Sequence, residues 1–197
     1  NIPRKLLKGP ILDFGCGPGP TTKMLLEIGA SKIISVDFSI NSLRVNMDTC
    51  HVHQVKPIYV LQDVRKIRIK KGSVSVLVMA DFLQHIIDID DRKAFLKNAF
   101  NSLVPGGSFF LSFFNINIKN YLKKDIKGSF NEGAIKYERL NYKEVISHFP
   151  KDIIVDKIIP MNISHNAFFD KIISFFPFSH LFSRMIVIQG RKHYDVN

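Results

Sequence analysis

Short apolar runs alternate with stretches of helical period along most of the chain. Ile11-Leu12-Asp13-Phe14 follows Pro10, runs into glycines and reads as a short buried strand. Ile33 to Asp37, Ile58 to Leu61, Val74 to Met79 and Ser108 to Phe114 repeat that signal. Amphipathic segments lie between them. Residues 20–29 place Met24, Leu25, Leu26 and Ile28 together and close on Gly29. Residues 40–50 follow Ser39, a helix-capping side chain, and residues 91–103 carry Ala94, Phe95, Ala99 and Leu103 before Val104-Pro105-Gly106-Gly107 stops the helix. Strands apolar on both faces and separated by helices predict an α/β fold with a parallel sheet covered on both sides. Right-handed crossovers make that sheet doubly wound and Rossmann-like.

The pattern changes after residue 114. Residues 115–140 are polar and dotted with glycine, and are expected to form a loop with one short helix. Asn141-Tyr142-Lys143-Glu144 resembles a helix-opening capping box with Asn in first place. Ile153 to Pro160 and Arg184 to Gln189 read as two more strands. Between them, Phe168, Ile172 and Phe176 share a helical face until Pro177, with Phe178, Leu181 and Phe182 following. The 197 residues suit one domain, 1–197, with a half of about 8–115 and a C-terminal part of about 116–197.

Composition narrows the class. Apolar residues are 46 % and charged residues 23 % of the chain, enough for a core and too apolar for wholesale disorder. The net charge of +11 invites a polyanionic partner. That charge is spread: residues 1–100 carry 15 Lys/Arg against 9 Asp/Glu, and residues 101–197 carry 13 against 8. The densest basic run, Arg65 to Lys71, is expected to be a solvated loop, with contact to phosphate or an anionic head group as its other reading. Cys16 and Cys50 exclude a disulfide scaffold and a cysteine zinc site, and free thiols point to a reducing, cytoplasmic compartment. No apolar run reaches transmembrane length. The chain opens at Asn1, so an N-terminal lid is expected to lie outside this sequence.

The candidate chemistry sits at strand ends. The first strand enters Gly15-Cys16-Gly17-Pro18-Gly19, and a helix follows. Glycines let backbone approach a ligand closely, and a helix start offers unpaired N–H groups; a tight structural turn is the plainer reading. The dinucleotide fingerprint G-x-G-x-x-G does not fit, because the spacing here is G-x-G-x-G. Asp37 ends the second strand, where a carboxylate can accept from both hydroxyls of a ribose or cap the next helix. Asp63 follows the third strand and can accept from an exocyclic amine, with the Val64 N–H available to a ring nitrogen.

These residues, in order, resemble the class I S-adenosylmethionine-dependent methyltransferases of small-molecule type. Ile11 to Gly19 is similar to that family's first motif, Ile34 to Asp37 to its second and Gln62-Asp63-Val64 to its third. Met79 to Ile86 is similar to the segment leaving strand four, and Leu103 to Gly107 to the turn before strand five. Ser75 departs from the Asp usual in that family at the start of strand four. The resemblance implies a seven-stranded sheet in order 3-2-1-4-5-7-6 with strand 7 antiparallel. It implies S-adenosyl-L-methionine as cofactor and S-adenosyl-L-homocysteine as product. The positions it assigns to the cofactor are Asp13, Gly15, Cys16, Gly17, Gly19, Asp37, Phe38, Asp63, Val64, Asp81 and Phe82.

In such a reaction the protein aligns acceptor, methyl and sulfur for in-line displacement. His85, just past strand four, is the candidate general base, since imidazole titrates near neutrality; packing at a helix start is its plainer role. Asp81 orients acceptor or cofactor, or caps the helix, and Gln84 reaches the cofactor from the same turn or, as the plainer reading, faces solvent. Asn115, Asn117 and Tyr121 are candidate linings of the acceptor pocket. The seven histidines show no metal-ligand spacing. The favoured function is methyl transfer to a small-molecule or lipid-like acceptor, on oxygen. The alternatives are a tRNA or rRNA methyltransferase and a non-catalytic cofactor-binding scaffold. The Phe-rich stretch 167–182 is read as core helix and connector, with peripheral membrane contact as the alternative.

Overall fold

A computed structural model of the chain describes residues 2–161 and 178–194. The main sheet contains β1 (Pro10–Phe14), β2 (Lys32–Asp37), β3 (Ile58–Leu61), β4 (Val74–Met79) and β5 (Leu103–Phe114). After a hairpin of β6 (Lys127–Phe130) and β7 (Ile135–Glu138), it is completed by β8 (Ile153–Met161) and β9 (Met185–Lys192). The order is β3-β2-β1-β4-β5-β9-β8. β1 pairs in parallel with β2 and β4, while β9 runs antiparallel to both β5 and β8. The predicted sixth and seventh strands are β8 and β9, so the order and the antiparallel strand are those the resemblance implies.

Local chemistry sets the helix ends. Gly19 at φ 101° turns the chain into α1 (Pro20–Glu27), with proline in the first turn where no N–H is needed. Ser39 accepts from the Ser42 N–H at 3.2 Å to open α2 (Ile40–Cys50). α3 (Ile89–Ser102) starts two residues earlier than predicted, because the Asp88 carboxylate caps the N–H groups of Asp90 and Asp91, both at 2.9 Å. Two core layers result. Phe95, Leu96 and Phe100 of α3 pack with Val145 of α5 (Tyr142–Ser147) on one face of the sheet; Leu25, Leu26 and Cys50 of α1 and α2 cover the other.

Two segments differ from expectation, while the basic run is the expected exposed loop. The polar region 115–140 is more ordered than a loop: it holds α4 (Ile118–Leu122) and the β6–β7 hairpin. β5 begins at Leu103 and takes Val104 to Gly107 into the strand, through a register shift opposite Val74–Val76 and Gly106 at φ 72°. The basic run is a strap whose Ile67 and Ile69 pack on the core, while Asn98 Nδ2 donates to Ile67 O at 2.9 Å and the cations point outward. Phe168, Phe169, Ile172, Ile173 and Phe176 lie outside the described residues.

The hairpin is tied down by charge. Arg92 is 3 % exposed; its Nε and Nη2 donate to Ile86 O at 3.0 and 2.9 Å, and Nη2 also donates to Glu138 Oε2 at 3.1 Å. Removing Arg92 takes both side-chain donors from the Ile86 carbonyl and leaves Glu138 with Lys127 alone. Arg92→Leu is therefore expected to lower stability by about 2 kcal/mol, read as a reduced midpoint in urea unfolding.

Candidate functional site

Parallel pairing lines up the ends of β1, β2, β3 and β4, and the loops that leave them form one surface. The glycine loop is the tightest of these. Gly15, Gly17 and Gly19 all have positive φ, at 62°, 53° and 101°. A Cβ on Gly15 would come within 2.5 Å of Phe82 Cβ, so the loop after β4 leaves no room for a side chain. At Gly17 the reason differs. A Cβ there would meet only Gly15 O, at 3.9 Å, and would project into open space beside the Asp37 carboxylate.

Asp37 fixes this loop. Its Oδ2 accepts from Gly17 N and its Oδ1 from Ser39 N, both at 2.9 Å, leaving a further lone pair on each oxygen. Beneath it, Asp13 is fully buried; Thr22 Oγ1 donates to its Oδ2 at 2.7 Å, and its Oδ1 has no partner. Burial pushes Asp13 up to about 7; the Thr22 hydroxyl opposes the rise and the Asp37 charge adds to it. Cys16 is pushed up to about 12, by burial first and then by the charges of Asp13 and Asp37, so its thiol stays protonated and unreactive. Asn46 joins α2 to the loop, donating to Gly17 O at 3.4 Å and to Thr22 Oγ1 at 3.1 Å.

The remaining sequence candidates divide. Phe38 is 71 % exposed at the end of β2. Phe82 is buried beneath the glycine loop, edge-on to Phe95 at 5.2 Å. Val64 packs against the core. Asp63 has a partner the sequence reading did not foresee. Arg65 Nε donates to both its oxygens at 3.0 Å, Nη2 donates to Oδ2 at 2.5 Å, and Nη1 reaches Asp91 at 3.3 Å. These bonds hold the Asp63 carboxyl below the usual carboxylate range.

Asp81 does not cap a helix. It stands at φ 54°, a left-handed conformation uncommon for a side-chain-bearing residue, with its N–H on Ser112 O at 3.2 Å and its carboxylate accepting from the Ser112 hydroxyl. Gln84 is 1 % exposed rather than solvent-facing; its Nε2 donates to Asp81 O at 2.7 Å and its Oε1 has no partner. In the 3-10 turn Leu83–His85, His85 Nδ1 lies 2.8 Å from Lys136 O. A carbonyl can only accept, so Nδ1 carries the proton and Nε2 of the neutral ring is left as an acceptor. His85 lines a cavity of about 650 Å³ together with Arg65, Arg92, Glu138 and Arg139.

Asn115 and Asn117 are buried and structural: Asn115 donates to His180 O and Ser183 O at 2.8 and 3.1 Å, and Asn117 caps α4. Tyr121 is exposed. Sequence reasoning missed Asn46, Arg65 and Ser112; for Ser112 the only signal is a hydroxyl in an otherwise apolar strand end. Among the described residues, no three His, Cys, Asp or Glu side chains gather to hold a metal ion, and no helix is long and apolar enough to cross a membrane.

A family profile described as "Methyltransferase domain" matches residues 11–107. The carboxy-S-adenosyl-L-methionine synthase of Shewanella pealeana is 31 % identical over 142 residues, which is 68 % of this chain and 55 % of that protein. A ubiquinone biosynthesis O-methyltransferase of Idiomarina loihiensis is 31 % identical over 57 % of this chain and 45 % of its own length. The chain thus spans about half the length of the curated relatives it matches. A solved S-adenosylmethionine-dependent methyltransferase from Methanosarcina mazei superposes with a TM-score of 0.74 at 17 % identity, covering 95 % of this chain and 94 % of that one.

The raised Asp13 gives a pH signature. Its acid form is favoured by the fold, so its contribution to stability is present below the ordinary carboxylate range and is lost as pH rises through about 7. Asp13→Asn removes that loss. The melting temperature of the variant relative to the native chain is expected to be higher at pH 8 than at pH 5, measured by thermal unfolding.

Proposed function

The chain belongs to the class I S-adenosylmethionine-dependent methyltransferase family, and on that footing we propose that it transfers a methyl group from S-adenosylmethionine to a small-molecule or lipid-like acceptor, on oxygen. The observation that supports this best is the Gly17–Asp37 pair: a loop with no Cβ over open space, and beside it a carboxylate with spare lone pairs. Such a cradle suits a nucleoside with two adjacent hydroxyls. The residues present fit the donor: the loop has no Cβ over the space at Gly17, and Asp37 keeps an accepting position on each oxygen.

The sulfonium donor supplies an activated methyl when bound, and the protein's work is to hold and orient. In this reading Asp37 takes the ribose hydroxyls and Phe38 offers an apolar face beside them. Asp63, both of whose oxygens accept twice from Arg65, takes the adenine amine when the Arg65 guanidinium gives up one of them. The glycine loop and Asp81, held by Ser112, fix the amino-acid end. Orientation of this kind can contribute about 7–11 kcal/mol in well-aligned systems. His85 then takes the hydroxyl proton of the acceptor at Nε2, the nitrogen that Lys136 leaves free, a contribution of roughly 10²–10⁴-fold.

Two substitutions test the assignment. Asp37→Ala removes two hydrogen bonds to a charged group at ~1.5 kcal/mol each, and S-adenosylhomocysteine affinity measured by calorimetry is expected to fall about a hundredfold. An unchanged affinity would sink the ribose assignment. His85→Ala is expected to cut kcat at least about a hundredfold with S-adenosylhomocysteine affinity intact; equal turnover would retire its role as a base.

A further inference from the structure

Leu61 of β3 is in register with Asp37, and the Gln62 N–H donates to Asp37 O at 3.0 Å. Asp63 therefore stands one strand over from the acid assigned to the ribose. A tight turn follows it. The Asp63 carbonyl accepts from Lys66 N at 2.9 Å, its Oδ1 accepts from Arg65 N at 3.0 Å, and Val64 packs against the core. With Val64 turned inward, Arg65 is left outside and folds back over Asp63.

The guanidinium fills the carboxylate. Nε donates to both oxygens at 3.0 Å and Nη2 donates to Oδ2 at 2.5 Å, so with the Arg65 N–H each oxygen accepts twice. Nη1 reaches Asp91, in the first turn of α3, at 3.3 Å. Arg65 thus has a second anchor that does not depend on Asp63. The Arg65 side chain is 50 % exposed and that of Asp63 27 %, so the pair lies open to an entering base.

A bare carboxylate at this position suits a six-amino purine, whose exocyclic group only donates. To accept from that amine, Asp63 must lose a bond from Arg65. A six-oxo purine presents an acceptor there and an N–H beside it. A guanidinium and a carboxylate side by side complement both.

We propose that Arg65 is a specificity-determining residue of the donor site: it holds the place of the exocyclic amine while the site is empty, and it admits a donor with a six-oxo purine alongside the adenine one. The inference rests on the methyl-transfer reading, with Asp63 at the six-position of the base, and adds what that position can recognise. Competition for Asp63 weakens the adenine ligand, and donation to the carbonyl strengthens the six-oxo one. Arg65 therefore narrows the difference from both sides.

The test measures S-adenosylhomocysteine and its deaminated form, S-inosylhomocysteine, by calorimetry on the native chain and on Arg65→Ala. Two ligands compared on one sample give a ratio that loss of folded protein does not change. A site built for the amine alone rejects the carbonyl strongly, because its acceptor is left unpaired. With Arg65 present, the native preference for S-adenosylhomocysteine is expected to stay below about a hundredfold. In Arg65→Ala it is expected to widen at least about tenfold, with S-adenosylhomocysteine binding more tightly than to the native chain. A native preference above that limit, a smaller widening, or S-adenosylhomocysteine that binds no more tightly to the variant each overturns the role of Arg65. A native chain that takes neither ligand instead fails the methyl-transfer reading, and the role falls with it.

Discussion

Parallel pairing of β1 with β2 on one side and β4 on the other is the constraint on which the site depends. Strands that run the same way end along the same edge, so loops far apart in sequence must share one narrow strip of space. Phe14 is in register with Val36 of β2 and Met79 of β4, and the residues after each of them compete for that strip. Phe82 takes the room beside Gly15, which leaves backbone alone to turn there. The glycine loop is thus shaped as much by the neighbouring strand as by any ligand. Its open side at Gly17 is what remains after the packing is complete.

Charge is handled differently at the two central acids. Asp37 lies where backbone N–H groups converge, and its bonds to Gly17 and Ser39 pin the loop to β2. Asp13 has one hydroxyl for two oxygens and no water access, so the fold favours its proton. Thr22 and Asn46 carry that arrangement outward to α1 and α2, in a polar chain running through an otherwise apolar layer. Such a chain gives the loop a single preferred geometry, because each buried group has few alternative partners.

Much of this was legible in the sequence because it follows from periodicity and strand ends. Apolar runs on both faces marked the parallel strands, Ser39 marked the start of α2, and glycine spacing with Asp37 marked two segments that the fold brings into contact. The hairpin was not legible. Its strands are four residues each, too short for alternation to outweigh the Gly128, Asn131 and Gly133 that signal loop. Side-chain fates were legible only where geometry left no choice. Gln84 follows a buried strand and looks like a surface amide, yet the carbonyl of strained Asp81 draws it inside. Arg65 sits two residues from Asp63, a spacing that sequence treats as neutral and an extended turn converts into a bidentate pair.

The smallness of the hairpin has a consequence of its own. A two-stranded ribbon of this length does not hold itself together in water. Its order is borrowed through Arg92, the Phe114 ring and the carbonyl that holds His85. Opening free energies differ across a structure, and a segment with few anchors opens before the strands beneath it. Amide hydrogens of residues 127–138 therefore exchange with solvent ahead of those in β1 and β4. The same independence makes the ribbon exchangeable over generations: a different short insertion, given one cation to grip, can be set on this sheet without disturbing the glycine loop.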